Sequence, residues 1–353
     1  VNIAELFDKE LFQQMVDEKM VTVRNHDGHP LLIANYSDAV QFRNYWNEVT
    51  LNCRGLIFDW DGEILARPWK KFFNLGDSKA PWIGFDDRVE VTDKMDGSLG
   101  ILYMYDGKPS ISTRGSFHST QAGWATKHIR KIEGLDLRFA PHFTFLFEII
   151  YPTNRIVVDY GRFEGLVLLG AVEVENGHAI GPNEAAALLN WPGLTTELMP
   201  HKSINDVLAA SDRENTEGYV IRRGDDMVKW KRPDYINLHR LISNLSEKSV
   251  WSGLEGGKTP EQLCEDLPDE FHGFVKETSF KLKLAFQTRI NEVQRTFGKV
   301  MYDLPVMPPS RKDFAWAVRD NPDKAYMFAL LDDKDIAPMV WQELKPKGEP
   351  EVR

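Results

Sequence analysis

The sequence predicts an α+β fold: a core of antiparallel sheets with flanking helices, followed by an all-helical C-terminal domain. Three observations lead there. Up to about residue 235, short β-branched and aromatic runs are separated by turn signals such as Asn25-His26-Asp27-Gly28, Asp61-Gly62 and Asp106-Gly107. Two runs, Phe143 to Ile150 and Leu166 to Val174, are almost continuously apolar, as strands buried on both faces are. Beyond about residue 240 the apolar spacing becomes helical, and Pro260, Pro268, Pro305, Pro308, Pro309 and Pro322 punctuate it. A chain of 353 residues has room for two domains, placed at 1–240 and 241–353, with a distinct N-terminal segment of about 1–50 inside the first.

The elements follow in order. Ile3, Leu6, Leu11, Met15 and Met20 recur at helical spacing and predict one helix over 3–20. Val21–Arg24 and Leu31–Tyr36 read as a strand pair, and 38–48 as a short helix carrying Phe42 and Trp46. Gly55–Asp59 and Ile64–Arg67 make a hairpin through Asp61-Gly62. Val89–Val91 and Leu99–Tyr105 flank a polar turn, and Ile111–Gly115 follows Asp106-Gly107. A helix is expected over 119–131, then the strand 143–150, a turn at Tyr151–Arg155, a strand at 156–160 and another at 166–174. Helices at 182–190 and 204–210 precede the strands 217–221 and 227–232. The C-terminal helices are expected at 234–250, 260–266, 270–299, 309–318 and 320–330, with a frayed tail around Lys345–Pro350.

Composition removes several classes of function. Two cysteines, Cys53 and Cys264, make neither a disulfide framework nor a metal cluster and suit a reducing, cytoplasmic compartment. No apolar run approaches transmembrane length and the N-terminus is not signal-like, so no membrane is expected as a partner. A net charge of -10 argues against sequence-blind polyanion binding while leaving room for a local basic groove. No internal repeat and no P-loop motif occur, so a fused 5′-kinase module is not indicated.

The chemistry centres on Thr92-Asp93-Lys94-Met95-Asp96-Gly97-Ser98-Leu99-Gly100, where a lysine sits in a short turn between strand-like runs. Lys94 could be a nucleophile, which requires a neutral amine and surroundings that disfavour the ammonium; a plain surface turn is the alternative. Arg54 and Lys71 are candidate phosphate contacts, because phosphates need several cationic donors, or else solvated charges at strand ends. Phe73 could stack on a base or fill the core. Glu148 interrupts an apolar strand, so its carboxylate needs a ribose hydroxyl, a metal or a lysine. Glu217 comes just before a strand, where it could position magnesium or its water. Lys229 and Lys231 are two apart on a strand and so reach one face.

Taken together, Lys94-Met95-Asp96-Gly97, Ser112-Thr113-Arg114-Gly115-Ser116, Phe147-Glu148-Ile149, Glu217-Gly218-Tyr219-Val220 and Val228-Lys229-Trp230-Lys231 resemble, in order and spacing, the covalent nucleotidyltransferases. Leu51-Asn52-Cys53-Arg54-Gly55, Lys71-Phe72-Phe73-Asn74-Leu75 and Tyr151-Pro152-Thr153-Asn154-Arg155-Ile156-Val157 narrow the resemblance to the RNA ligase 1 family of T4-type phages. It spans about residues 50 to 235 and thins outside them.

The resemblance implies a nucleotidyltransferase, ATP-grasp-like ligase core that joins RNA 5′-phosphate and 3′-hydroxyl ends through lysyl-AMP and RNA-adenylate. ATP and Mg2+ (Mn2+ substituting) are the implied cofactors. Lys94, Glu148, Glu217, Lys229 and Lys231 would be catalytic; Arg54, Lys71 and Phe73 would join them around the nucleotide. Metal would go to Glu217, directly or through water, ahead of Glu148. Single-stranded RNA or broken RNA loop ends, tRNA among them, are the implied partners of a monomer in the cytoplasm, a host's if the protein is viral. Lys276, Lys281, Lys283 and Arg289 mark a basic helix face that would suit RNA, or simply solvent. Three other classes remain: a GTP-dependent capping guanylyltransferase, a DNA or duplex-nick ligase, and a non-enzymatic RNA-binding protein.

Overall fold

The computed structural model describes residues 1–346 apart from 212, 266, 268 and 307. The chain forms two compact units, Val1–Ile242 and Ser243–Arg353.

The first unit opens with two helices where the sequence predicted one. Helix α1, Ile3–Leu6, stops at Phe7, and α2, Lys9–Asp17, restarts behind Asp8, whose carboxylate accepts from Leu11 N. An N-cap restarts the helix wherever its side chain satisfies an orphan amide. The strands β1, Val21–Asn25, and β2, Leu31–Tyr36, pair antiparallel. The helix expected over 38–48 also divides. Asn44, at φ +54°, ends α3, Asp38–Arg43, and Asn47 caps α4, Glu48–Asn52. Strands β3, Arg54–Asp59, and β4, Ile64–Ala66, complete a sheet ordered β1-β2-β3-β4.

Next come β5, Phe73–Asn74; β6, Glu90–Lys94; β7, Ser98–Tyr105; β8, Lys108–Ser112; helix α5, Thr120–Ile129; β9, Phe143–Ile150; β10, Gly165–Glu173; and β11, Ala179–Ile180. Helices α6, Pro182–Leu189, and α7, Ile204–Ala209, precede β12, Gly218–Arg223, and β13, Asp226–Lys231. A second sheet runs β11-β10-β9-β7-β8 and a third runs β5-β13-β12-β6. All pairings are antiparallel except the short β5–β13 pair, which is parallel and departs from the expected pattern.

The apolar strand β9 is buried on both faces, as its sequence required. Phe145, Phe147 and Ile149 pack with α5 and α6, while Leu146 packs toward Ile33, Ile57 and Ile101 between the first two sheets. Glu148 shares the face of Leu146 by strand alternation.

Residues 156–160 correct the sequence reading: they are not a strand. Both carboxylate oxygens of buried Asp96 intervene. The amides of Val157 and Val158 donate to its Oδ2 at 2.8 and 2.7 Å, and Tyr235 OH donates to its Oδ1 at 2.8 Å. Backbone donors met by a side chain have no need of a sheet ladder. Pro233 stops the strand, as expected, and also opens α8, Pro233–Ile242, which brings Tyr235 to Asp96.

The second unit is helical. Asn244, at φ +52°, and the capping box of Ser246 divide the predicted 234–250 helix into α8 and α9, Glu247–Glu255. After α10, Pro260–Leu263, come α11, Asp269–Asp303; α12, Arg311–Ala317; α13, Lys324–Leu331; and α14, Ala337–Glu343, which the sequence reading missed. Its core gathers Val293, Phe314, Val318, Met327, Ile336 and Val340. Arg289, grouped by sequence with a basic helix face, instead bonds to Asp323 and Glu343 and ties α11 to the start of α13 and to α14. The expected tail at 345–350 falls largely outside the described residues.

Gly218 is the tightest point of the third sheet. It lies between Lys94 and Lys231 in register, at φ +152°, and a Cβ there would stand 2.1 Å from the Trp230 carbonyl oxygen. Gly218→Ala should therefore destabilise the fold by at least about 2 kcal/mol, through backbone strain and a steric clash. Chemical denaturation should show a lowered midpoint.

Candidate active site

Lys94 ends β6 and Lys231 ends β13, on either side of β12. Both ammonium groups reach one oxygen of Glu217, the residue just before β12: Lys94 Nζ is 2.8 Å and Lys231 Nζ 3.1 Å from Oε1. The close approach permitted by Gly218 places this carboxylate between the two neighbouring strands. Glu217 is only 3% exposed. A buried carboxylate with two cationic partners is compensated where a lone one would not be. Lys231 also lies 5.5 Å from the centre of the Tyr235 ring. Lys229 sits two residues back on β13, opposite Val220 of β12 and Asn74 of β5.

Glu148 approaches from β9, opposite Leu99 and Val167. A Cβ on Gly97 would meet the Ile149 carbonyl oxygen at 2.7 Å and Glu148 Cγ at 3.1 Å, so the glycine after Asp96 leaves Glu148 its path. Burial pushes the Glu148 carboxyl up to about 8. Lys94 and Arg54 oppose that rise, while Glu217 and Asp96 add to it. A carboxyl so placed holds its proton near neutral pH and can donate as well as accept.

Three side chains hold the frame. Tyr160 OH accepts from Asp96 N, and burial pushes that hydroxyl's pKa up. Asn215 exchanges two hydrogen bonds with the backbone of Asp159, at 2.8 and 2.7 Å, which binds the loop before Glu217 to the segment held by Asp96. Arg213 pairs with Asp93, the neighbour of Lys94, at 3.1 Å; burial raises the Asp93 pKa and Arg213 opposes the rise.

Arg54, Lys71 and Phe73 occupy an adjoining corner. The Arg54 guanidinium lies 5.5 Å from the Phe72 ring centre. Gly55, at φ +91°, runs so close to Arg114 that a Cβ would be 3.2 Å from its carbonyl oxygen. The Arg114 guanidinium covers Tyr36 at 5.1 Å and donates to its hydroxyl. Lys71 is buried beside the same Tyr36 ring, and Phe73 is buried beside Lys71. The structure thus brings Lys94, Glu217 and Lys231 into contact and couples Glu148 electrostatically to Lys94 and Glu217, and Arg54 to Glu148. It packs Phe73 into the wall around Lys71.

Sequence reasoning missed Asn215, Tyr160, Tyr235 and Tyr36 as parts of the site. It quoted Asp96 only as part of a motif. Only Asp96 carried a signal, its place two residues after the lysine; the others come from loops and helices whose approach is set by tertiary packing.

Among the described residues no group of three or more His, Cys, Asp or Glu side chains could hold a metal ion. A magnesium that arrives with phosphates needs no such group, because Mg2+ is commonly held by one or two carboxylates together with substrate oxygens and water.

A lysine at a strand junction, paired with a buried glutamate and a second lysine inside an α+β core, defines the class: a ligase of the covalent nucleotidyltransferase type. The family comparison is more particular. Residues 52–235, just over half the chain, match the T4-type family described as RNA ligase. The chain belongs to that family of ATP-dependent RNA ligases. It is 26% identical over 370 aligned positions to an RNA ligase of Rhodothermus phage RM378, covering 80% of this chain and 81% of the relative. It is 27% identical to RNA ligase 1 of Bacteriophage TS2126, covering 54% of this chain and 52% of that one, so here it spans about half the relative's length. Among solved structures it resembles a putative ATP-dependent DNA ligase from Aquifex aeolicus, with a TM-score of 0.48, 15% identity and coverage of 83% and 80%. Among the described residues no helix is long and apolar enough to cross a membrane.

The raised Glu148 pKa makes a stability prediction. The folded chain keeps this proton up to about pH 8 while the unfolded chain releases it near the ordinary value of 4.5. Wild-type stability therefore falls as pH rises through that window. Glu148→Gln removes the titration, so its melting temperature relative to wild type should climb from about pH 5 and level off above about pH 8. Thermal melts at fixed ionic strength check this.

Proposed function

We propose that this protein seals RNA 5′-phosphate and 3′-hydroxyl ends with ATP, in three nucleotidyl-transfer steps that begin at Lys94. The observation that carries the reading is the contact of Lys94 and Lys231 with one buried oxygen of Glu217. Lys94 Nζ attacks the α phosphorus of ATP; the bond to pyrophosphate breaks and the lysine proton leaves. Glu217 Oε1 holds both ammonium groups, so a carboxylate engaged elsewhere frees Lys94 Nζ to turn toward the nucleotide. Lys229 and Lys231 then neutralise charge on the triphosphate, with Arg54 and Lys71 as further phosphate contacts. Mg2+, when bound, would supply charge neutralisation at the transferring phosphorus, with Glu217 as its protein donor.

The AMP passes from Lys94 to the RNA 5′-phosphate, and the RNA 3′-hydroxyl displaces it. Glu148, protonated below about pH 8, can donate to a ribose oxygen as the nucleotide moves. Single-stranded RNA or a broken RNA loop, including a cleaved tRNA, is the substrate this reading favours. The chain is acidic overall and therefore lacks the charge for a long duplex footprint.

Incubation with radiolabelled ATP and Mg2+, before any RNA, should leave one AMP on the protein through an acid-labile bond. Labelled GTP should leave none. Lys94→Ala should abolish the adduct and yet keep part of the sealing of pre-adenylated RNA. An AMP adduct that persists in the alanine variant would exclude Lys94 as nucleophile. At matched length and fixed salt, 5′-phosphorylated single-stranded RNA should be joined at least about tenfold faster than a nicked DNA duplex; the opposite order would move the protein to the DNA ligases.

A further inference from the structure

Lys71 is 8% exposed, and three aromatic rings surround its ammonium. The Trp46 centre is 5.2 Å away, and those of Tyr36 and Phe73 are each 5.6 Å away. The rings brace one another: Trp46 meets Tyr36 edge-on at 5.0 Å and Phe73 edge-on at 5.3 Å. The Trp46 indole N–H is held by Asn44 Oδ1 at 2.9 Å. Asn44 is the left-handed residue that ends α3, so a helix terminus sets the angle of the indole. Two of the three rings, Tyr36 and Trp46, come from residues outside the 52–235 family match.

An aromatic face attracts an ammonium through its quadrupole and leaves the formal charge intact. A cage of rings therefore suits a lysine that must stay charged toward phosphate. We infer that Trp46 is a positioning residue that holds the Lys71 ammonium in place for the ATP phosphates, so that the N-terminal segment takes part in the first chemical step. This rests on the reading of Lys71 as a phosphate contact. Trp46 acts through Lys71 and touches no reacting atom.

Two assays on the full chain separate this role from a structural one: lysyl-AMP formation against ATP concentration, and sealing of pre-adenylated RNA, which needs no triphosphate. Trp46→Leu keeps an apolar side chain and removes the ring. It should raise the ATP concentration for half-maximal adenylation about tenfold, and Trp46→Phe, with its weaker quadrupole, about threefold. Neither should change pre-adenylated sealing by more than about twofold. In a Lys71→Ala background, Trp46→Phe should add no further loss.

Unchanged ATP dependence in folded Trp46→Leu overturns the inference, as does equal loss in both assays. If Trp46→Leu melts at the assay temperature, Trp46→Phe alone and in the Lys71→Ala background decides by the same criteria. Normal ATP dependence in Lys71→Ala would overturn the phosphate reading of Lys71 itself. A wild-type chain that takes up no AMP would overturn the proposed function.

Discussion

The site depends on one oxygen atom. Glu217 Oε1 accepts from Lys94 on one side and Lys231 on the other, with Gly218 next in the chain. Lys94 and Lys231 end β6 and β13 and Glu217 immediately precedes β12, so the ion pairs also fix the register at the shared end of these strands. Gly218 has a steric reason to be glycine: any Cβ would collide with the backbone of β13. Remove the close approach, and the carboxylate can no longer reach both ammonium groups. The candidate site and a strand-pairing constraint are here the same geometry.

Around that oxygen, buried carboxyl groups are treated in two ways. Asp96 is saturated by two backbone amides and a tyrosine hydroxyl, and so serves as a structural anchor. Glu148 is set by burial and by the charges about it, and its pKa rises to about 8. The first arrangement engages both carboxylate oxygens in direct hydrogen bonds; the second keeps a proton available. Asp96 therefore orders the segment beside Lys94, while Glu148 keeps a proton that it can donate.

The first fifty residues are joined to the site by packing. Met15, Val40, Val49 and Cys53 share a core with Leu56 and Phe58 of β3, the strand that begins at Arg54. Burial on this scale holds Tyr36 and Trp46 against Lys71 without any sequence motif to announce them. The second unit contributes a helical core of its own, and Arg289 is spent inside it, which removes one cation from the surface that the sequence had suggested for RNA.

By itself the sequence determined the α+β class, the change to helices beyond residue 240 and a strand–turn–strand unit around Lys94, although the residue ends β6 and the turn follows it. Strand alternation placed Lys229 and Lys231 on one face, and an acid in an apolar run singled out Glu148, because local periodicity and burial of charge leave marks in the chain. The RNA ligase family was also legible, since its motifs occur in order. Tertiary structure decided the rest. Nothing near Val157 in sequence says that Asp96, sixty residues earlier, will take its amide away from a sheet. Nothing near Asn44 says that a helix end will aim an indole at Lys71. Hydrogen bonds between distant segments and the meeting of rings from separate elements have no sequence period; they exist only once long-range packing has brought the segments together.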